Sequence, residues 1–117
     1  MGDRVLFQVI HGDRSGPVAY GHWSGSRAPE VARRLAARME SRPGDLDYAT
    51  ARLVQELVNG AEGSTGFGVW NSSRRLVETD SHGDAGVVLI DCADGFRCQC
   101  FGGYLRTGKD GFPEVAR

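Results

Sequence analysis

Asp45-Leu46-Asp47-Tyr48-Ala49-Thr50-Ala51-Arg52-Leu53-Val54-Gln55-Glu56-Leu57-Val58-Asn59-Gly60 is the stretch from which the fold is read. Leu46, Ala49, Leu53, Val54, Leu57 and Val58 recur at the three- and four-residue steps that place them on one side of a helix. Asp45 or Asp47 offers a side-chain acceptor to the free amides of the first turn, and Asn59-Gly60 supplies the stop. One apolar side must be buried against a second layer.

A first helix precedes it. Pro29 and Glu30 suit an opening turn, where a missing amide hydrogen and a carboxylate are both favourable. Val31, Ala32, Leu35, Ala36 and Met39 form its apolar stripe, and Glu30, Arg34, Arg38 and Arg42 step along the opposite side. Arg42-Pro43-Gly44 ends it.

Strands flank the helices. Residues 4–11 alternate with apolar residues on both faces, which places that strand inside a sheet. The turn formers of residues 11–17 then lead into a second alternating run, 18–23, as a hairpin. A short strand is expected over 66–71, and two more over 87–92 and 96–101, joined by Ala93-Asp94-Gly95; Asp-Gly between alternating apolar residues is a strong hairpin signal. The order ββααβββ predicts an α+β two-layer sandwich, an antiparallel sheet of about five strands with both helices on one face. Residues 1–104 form this single domain, and 105–117, glycine-rich and poor in apolar residues, are expected as a loosely ordered tail.

The composition agrees with one small globular domain. The chain has 117 residues, of which 40% are hydrophobic and 25% charged, which sets aside disordered and fibrous classes. A net charge of −1 gives no global field toward nucleic acid or an anionic membrane. No run reaches the roughly 20 apolar residues of a membrane span, and no signal-peptide core follows Met1, so a cytoplasmic location is expected. Thirteen Arg against the single Lys109 suggest a GC-rich bacterial or phage genome.

Cys92, Cys98 and Cys100 lie on the last hairpin, where thiolates with a histidine make a zinc site; their spacing is not that of a zinc knuckle, and packing in the core is the preferred reading. Ser81-His82-Gly83-Asp84 contains the residue types of a hydrolytic triad, but neighbours in sequence rarely converge on one atom. His22, His82 and Asp84 are retained as the catalytic candidates of an alternative reading, a small hydrolase or a thiol-dependent enzyme. Phosphate-binding glycine motifs are absent, and no cofactor is expected.

Charge is separated along the chain. Residues 26–42 carry a net +3 and residues 78–94 a net −5. Arg34 and Arg38 on one side, and Asp80 and Asp84 on the other, are therefore candidates for contact with a partner. Nucleic acid is a minor alternative, through the arginine face of residues 27–42. Trp23 and Trp70 are of the type enriched at interface hot spots, and the strand ends place His22, Trp23, Trp70 and His82 on one rim. The leading expectation is a non-catalytic protein-binding module, of the accessory or inhibitor kind that phages and mobile elements encode. A zinc- or small-ligand-binding regulatory domain is the other alternative, and a homodimer through an exposed sheet edge is left open.

Overall fold

A computed structural model describes residues 2–59, 66–93 and 96–116. The chain runs β1 (Val5–His11), β2 (Arg14–Gly21), α1 (Ala28–Arg38), α2 (Leu46–Val58), β3 (Phe67–Trp70), β4 (Gly86–Asp91), β5 (Arg97–Phe101), β6 (Leu105–Thr107) and β7 (Pro113–Val115). The first five strands form one sheet in the order β3-β2-β1-β4-β5, and β6 and β7 form a second, two-stranded one. This is the α+β architecture read from the sequence, with β1 at the centre of the sheet.

α1 ends at Arg38, one turn short of the Arg42-Pro43-Gly44 expected to stop it. Asp45 caps α2 by accepting the Tyr48 amide at 3.0 Å. Ala28, Val31, Ala32 and Leu35 of α1 and Leu46, Ala49, Leu53 and Leu57 of α2 are buried together with Val5, Phe7, Val9, Ala19, Val88, Ile90 and Cys98 from alternate strand positions. The helices therefore cover a single face of the sheet. Glu56, buried between them, is held by Arg38 at 2.5 Å.

One strand pairing departs from expectation. β1 and β4 are parallel, with Val5 opposite Gly86 and Ile10 opposite Asp91, so the sheet is mixed rather than antiparallel. Parallel neighbours need a long crossover, and here that crossover contains β2, both helices and β3. A reading built from adjacent hairpins cannot find it. The β1–β2 hairpin is also tighter than expected. His11 pairs with Arg14 across Gly12-Asp13, and Gly12 takes a φ of 62°. The register then shifts opposite Val9, and Pro17 sits at this irregularity, where no ladder amide is required of it. The Asp94-Gly95 turn lies outside the described residues.

The opposite face has its own small core of Leu6, Ile10, Val18, Leu76, Val87 and Leu89. Its cover is the segment after β3, and a buried glutamine fastens it. Gln8 Nε2 donates to the carbonyls of Gly16 (3.0 Å) and Arg74 (2.9 Å), and Gln8 Oε1 accepts the Leu76 amide at 2.8 Å. All the described bonding groups of this side chain are thereby used, which is what burial of an amide demands.

Residues 105–116, expected as a loose tail, are instead packed. Leu105 is buried in the main core and its amide donates to the Ala85 carbonyl, while the Tyr104 amide donates to Asp84. Gly103 makes this approach feasible: a Cβ there would lie 2.3 Å from the Ala85 carbonyl carbon. Phe112 packs on the core with its ring 6.3 Å from that of Phe96, and the Arg33 guanidinium lies over it at 4.7 Å. The three apolar residues Leu105, Phe112 and Val115 are too widely spaced to form a period, which is why the segment reads as a tail.

Candidate functional site

β2 and β3 are antiparallel neighbours, and on the face away from the helices they meet the turn at residues 81–85 and bring five rings together. Tyr20, on the face away from the helices, is the hub: its ring centroid lies 6.0 Å from Trp70 and 5.5 Å from His82. Trp70 and His82 are nearly parallel, 17° apart at 6.2 Å. His22 continues the row, with Trp23 edge-on to it at 4.4 Å. The rim expected of His22, Trp23, Trp70 and His82 is therefore assembled, with Tyr20 at its middle. Pairing Tyr20 with Gly68 of β3 is what centres it.

Polar bonds fix this row. The Tyr20 hydroxyl and His22 Nδ1 are 2.7 Å apart. Burial, assisted by the Asp84 charge and opposed by Arg4, pushes the Tyr20 phenol up, so it keeps its proton at neutral pH. The phenol can donate to Nδ1 or accept from it, according to the tautomer of the imidazole. Beside it Asp84 Oδ2 accepts from Arg4 Nε at 2.9 Å and from the Arg4 amide at 3.1 Å. These bonds hold the Asp84 carboxyl below its usual range.

The triad-like run diverges. Ser81 Oγ donates to the Gly102 carbonyl at 2.7 Å and accepts the Gly83 amide at 3.0 Å. Asp84 turns to Arg4 and His82 to the two aromatic rings. None of the three orients another, as nucleophilic catalysis requires.

The cysteine thiols are all shifted toward the protonated form. Burial pushes Cys98 up to about 12 and Cys100 up to about 11, and it raises Cys92 as well, with the Asp91 charge adding to the effect. Thiols so protonated react slowly near neutrality. Cys98 lies opposite Ile90, not opposite Cys92, and among the described residues no three His, Cys, Asp or Glu side chains are grouped to hold a metal. Cys92 instead lines an apolar hollow of about 170 Å³ with Met39, Pro43 and Phe96.

The charged candidates are paired within the chain. Arg34 meets Glu30 at 3.0 Å and Arg38 meets Glu56, while Arg33 is held by Asp110 and Arg42 by Asp45. Asp80 receives both terminal nitrogens of Arg74 at 2.8 Å and the Val77 amide at 2.7 Å, which lowers its carboxyl to about 2. Each of the four charged candidates thus has a partner within the chain. The exposed large apolar side chains include both tryptophans, Trp23 at 52% and Trp70 at 42%.

Among the described residues no helix is long and apolar enough to cross a membrane. Comparison of the chain with protein-family models, with curated proteins and with solved structures finds no match. The class that can be stated is the architecture itself, a mixed five-stranded sheet with two helices on one face and a hairpin closing one edge.

Proposed function

We propose that this protein is a non-catalytic docking module that binds another protein through the rim of Trp23, His22, Tyr20, His82 and Trp70. The observation that carries the reading is the exposure of two tryptophans at the two ends of a hydrogen-bonded histidine–tyrosine array. Large aromatics cost apolar area when left in water, and a rigid, pre-ordered array loses little entropy when covered. Tryptophan and tyrosine are the residues that dominate binding energy at interfaces. The charged pairs then serve orientation within the chain rather than attraction between chains. An accessory or inhibitory protein acts by occupying a partner's surface, and the rim asks for nothing more.

The test uses tagged full-length protein and a Trp23→Ala/His82→Ala variant as parallel baits in bacterial lysate, followed by binding measurements with each purified candidate. The reading expects one protein that binds the wild type and binds the variant at least about tenfold more weakly, roughly the loss of one hot-spot side chain. Equal affinity for both baits overturns it. So does a native mass spectrum of the reduced protein that carries a stoichiometric metal or metabolite.

A further inference from the structure

β3 is the last strand on its side of the described sheet. β3 bonds only β2 among the described residues, and it contains no charge, proline or bulge of the kind that normally blunts an edge. The His22 amide donates to the Gly66 carbonyl at 2.9 Å. In an antiparallel ladder bonded and non-bonded pairs alternate. Gly68 and Trp70 therefore direct their amide and carbonyl groups to β2, and Phe67 and Val69 direct theirs outward. Both outward residues are exposed, Val69 at 47%.

We infer that a second copy of this chain adds to β3 antiparallel, with Val69 opposite the second copy's Val69. A two-fold axis normal to the sheet pairs residues that lie on the same face, and the outward groups must pair with each other. In the Val69-centred register Phe67 faces the second copy's Asn71, and Gly68 faces the second copy's Trp70 in a close, non-bonded pair. Gly68 suits this role: a Cβ placed there would meet nothing within 4 Å. The half-exposed Trp70 ring of each copy enters the open space over Gly68 of the other, next to Tyr20. Covering a strand glycine with a cross-strand aromatic is a known source of sheet stability. The strand thus carries both the projection and the gap that receives it. The register centred on Gly68 would instead stack glycine on glycine and leave each tryptophan opposite Gly66. The product is a continuous ten-stranded sheet with all four helices on one side.

This inference shares Trp70 and Tyr20 with the proposed rim, but its test is placed on Val69, which lies on the helical face with Ala19 whereas Trp70 lies on the other with Val18, so that its failure and the failure of the docking reading are distinguishable. The experiment is sedimentation of the reduced full chain over a concentration series, with Val69→Lys, Val69→Glu and their equimolar mixture. The wild type should dimerise, each variant alone should be monomeric because like charges meet on the axis, and the mixture should recover a heterodimer. Oxidation of Val69→Cys should give a disulfide-linked dimer, since directly bonded antiparallel partners lie about 5.5 Å apart at Cα, within disulfide reach. Phe67→Cys should not cross-link, as it faces position 71. A wild type that remains monomeric at about 1 mM, the weak limit of specific association, overturns the inference. Dimers that persist unchanged in Val69→Lys, or cross-linking through position 67 in place of 69, overturn it equally.

Discussion

The two edges of the five-stranded sheet are finished in different ways. β5 is closed from within: the Cys98 amide donates to the Gly111 carbonyl at 2.9 Å and the Cys100 amide to Thr107 Oγ1 at 2.9 Å. The segment that does this is anchored by Leu105 in the core and by Arg33 on Asp110. β3 has no such cover among the described residues, and it leaves Phe67, Val69 and Trp70 in solvent. A sheet edge is a row of unmet donors and acceptors, and natural chains normally hide or blunt it. Among the described residues this is done on one side only. The edge closed by the C-terminal segment serves stability, while the apolar, uncharged β3 edge is paired by no described residue beyond β2.

The largest effect is expected where the closed edge is tightest. Gly103→Ala puts a methyl 2.3 to 2.4 Å from the backbone of Asp84, Ala85 and Gly86. The hairpin must lift away to relieve it, and a loss of about 3 kcal/mol or more is expected. Urea unfolding measures it; a midpoint like that of the wild type would show that residues 103–105 do not close the edge as described. Leu105→Ala empties a fully buried site without altering the backbone, and the expected loss is about 3 kcal/mol. In that variant Cys98 and Cys100 should become faster to alkylate in the native state, because the cover over them loosens. Unchanged labelling would separate the anchor from the edge.

Gln8 sharpens the comparison from the other face. Gln8→Leu retains the volume but strands the Leu76 amide and the carbonyls of Gly16 and Arg74. Leaving one buried group unmet costs about 1 to 3 kcal/mol, so a loss of about 2 kcal/mol is expected. A neutral result would mean that the 72–77 segment is held by the Arg74–Asp80 pair alone. A smaller effect belongs to pH. The thiols of Cys98 and Cys100 are raised, so their protonated forms are favoured in the folded chain. Their contribution is fully present below the ordinary thiol range near 9 and is lost as pH rises toward about 11 and 12. Cys98→Ala should flatten the alkaline limb of the stability curve relative to the wild type; an identical limb assigns it to other groups.

The same contrast explains what could be read from the sequence. Both helices, the Asp45 cap and the two-faced central strand are local features, written within about four residues of one another. The parallel pairing of β1 with β4 is not local, and neither is the contact of residues 103–105 with 84–86. Each joins stretches whose own patterns give no hint of the other. The rim of His22, Trp23, Trp70 and His82 was expected from strand ends, but it assembles because alternate residues of neighbouring strands share a face, Trp70 lying opposite Val18 in β2. Its neighbour pair Arg4–Asp84 was not expected, since the residues are 80 positions apart. Charge pairing shows the same divide: Arg74 and Asp80 meet within six residues, whereas Arg4 and Asp84, or Arg33 and Asp110, meet only once the chain has folded.

Amide exchange addresses both edges in one experiment, and its effect is the smallest because it alters no residue. In dilute protein the Cys98 and Cys100 amides, bonded to Gly111 and Thr107, should be protected, and those of Phe67 and Val69, which point away from β2, should exchange at nearly the rate of an open chain. Gly68 and Trp70, whose amides face β2, should be protected at every concentration. Alternation of slow and fast amides along four consecutive residues is the signature of an edge strand bonded on one side. Concentrating the protein should slow Phe67 and Val69 selectively if a second copy covers β3, and leave Cys98 and Cys100 where they were, since that edge is already closed. Protection of all four β3 amides in dilute solution would instead mean that the chain covers this edge itself, and the difference between the two edges would disappear.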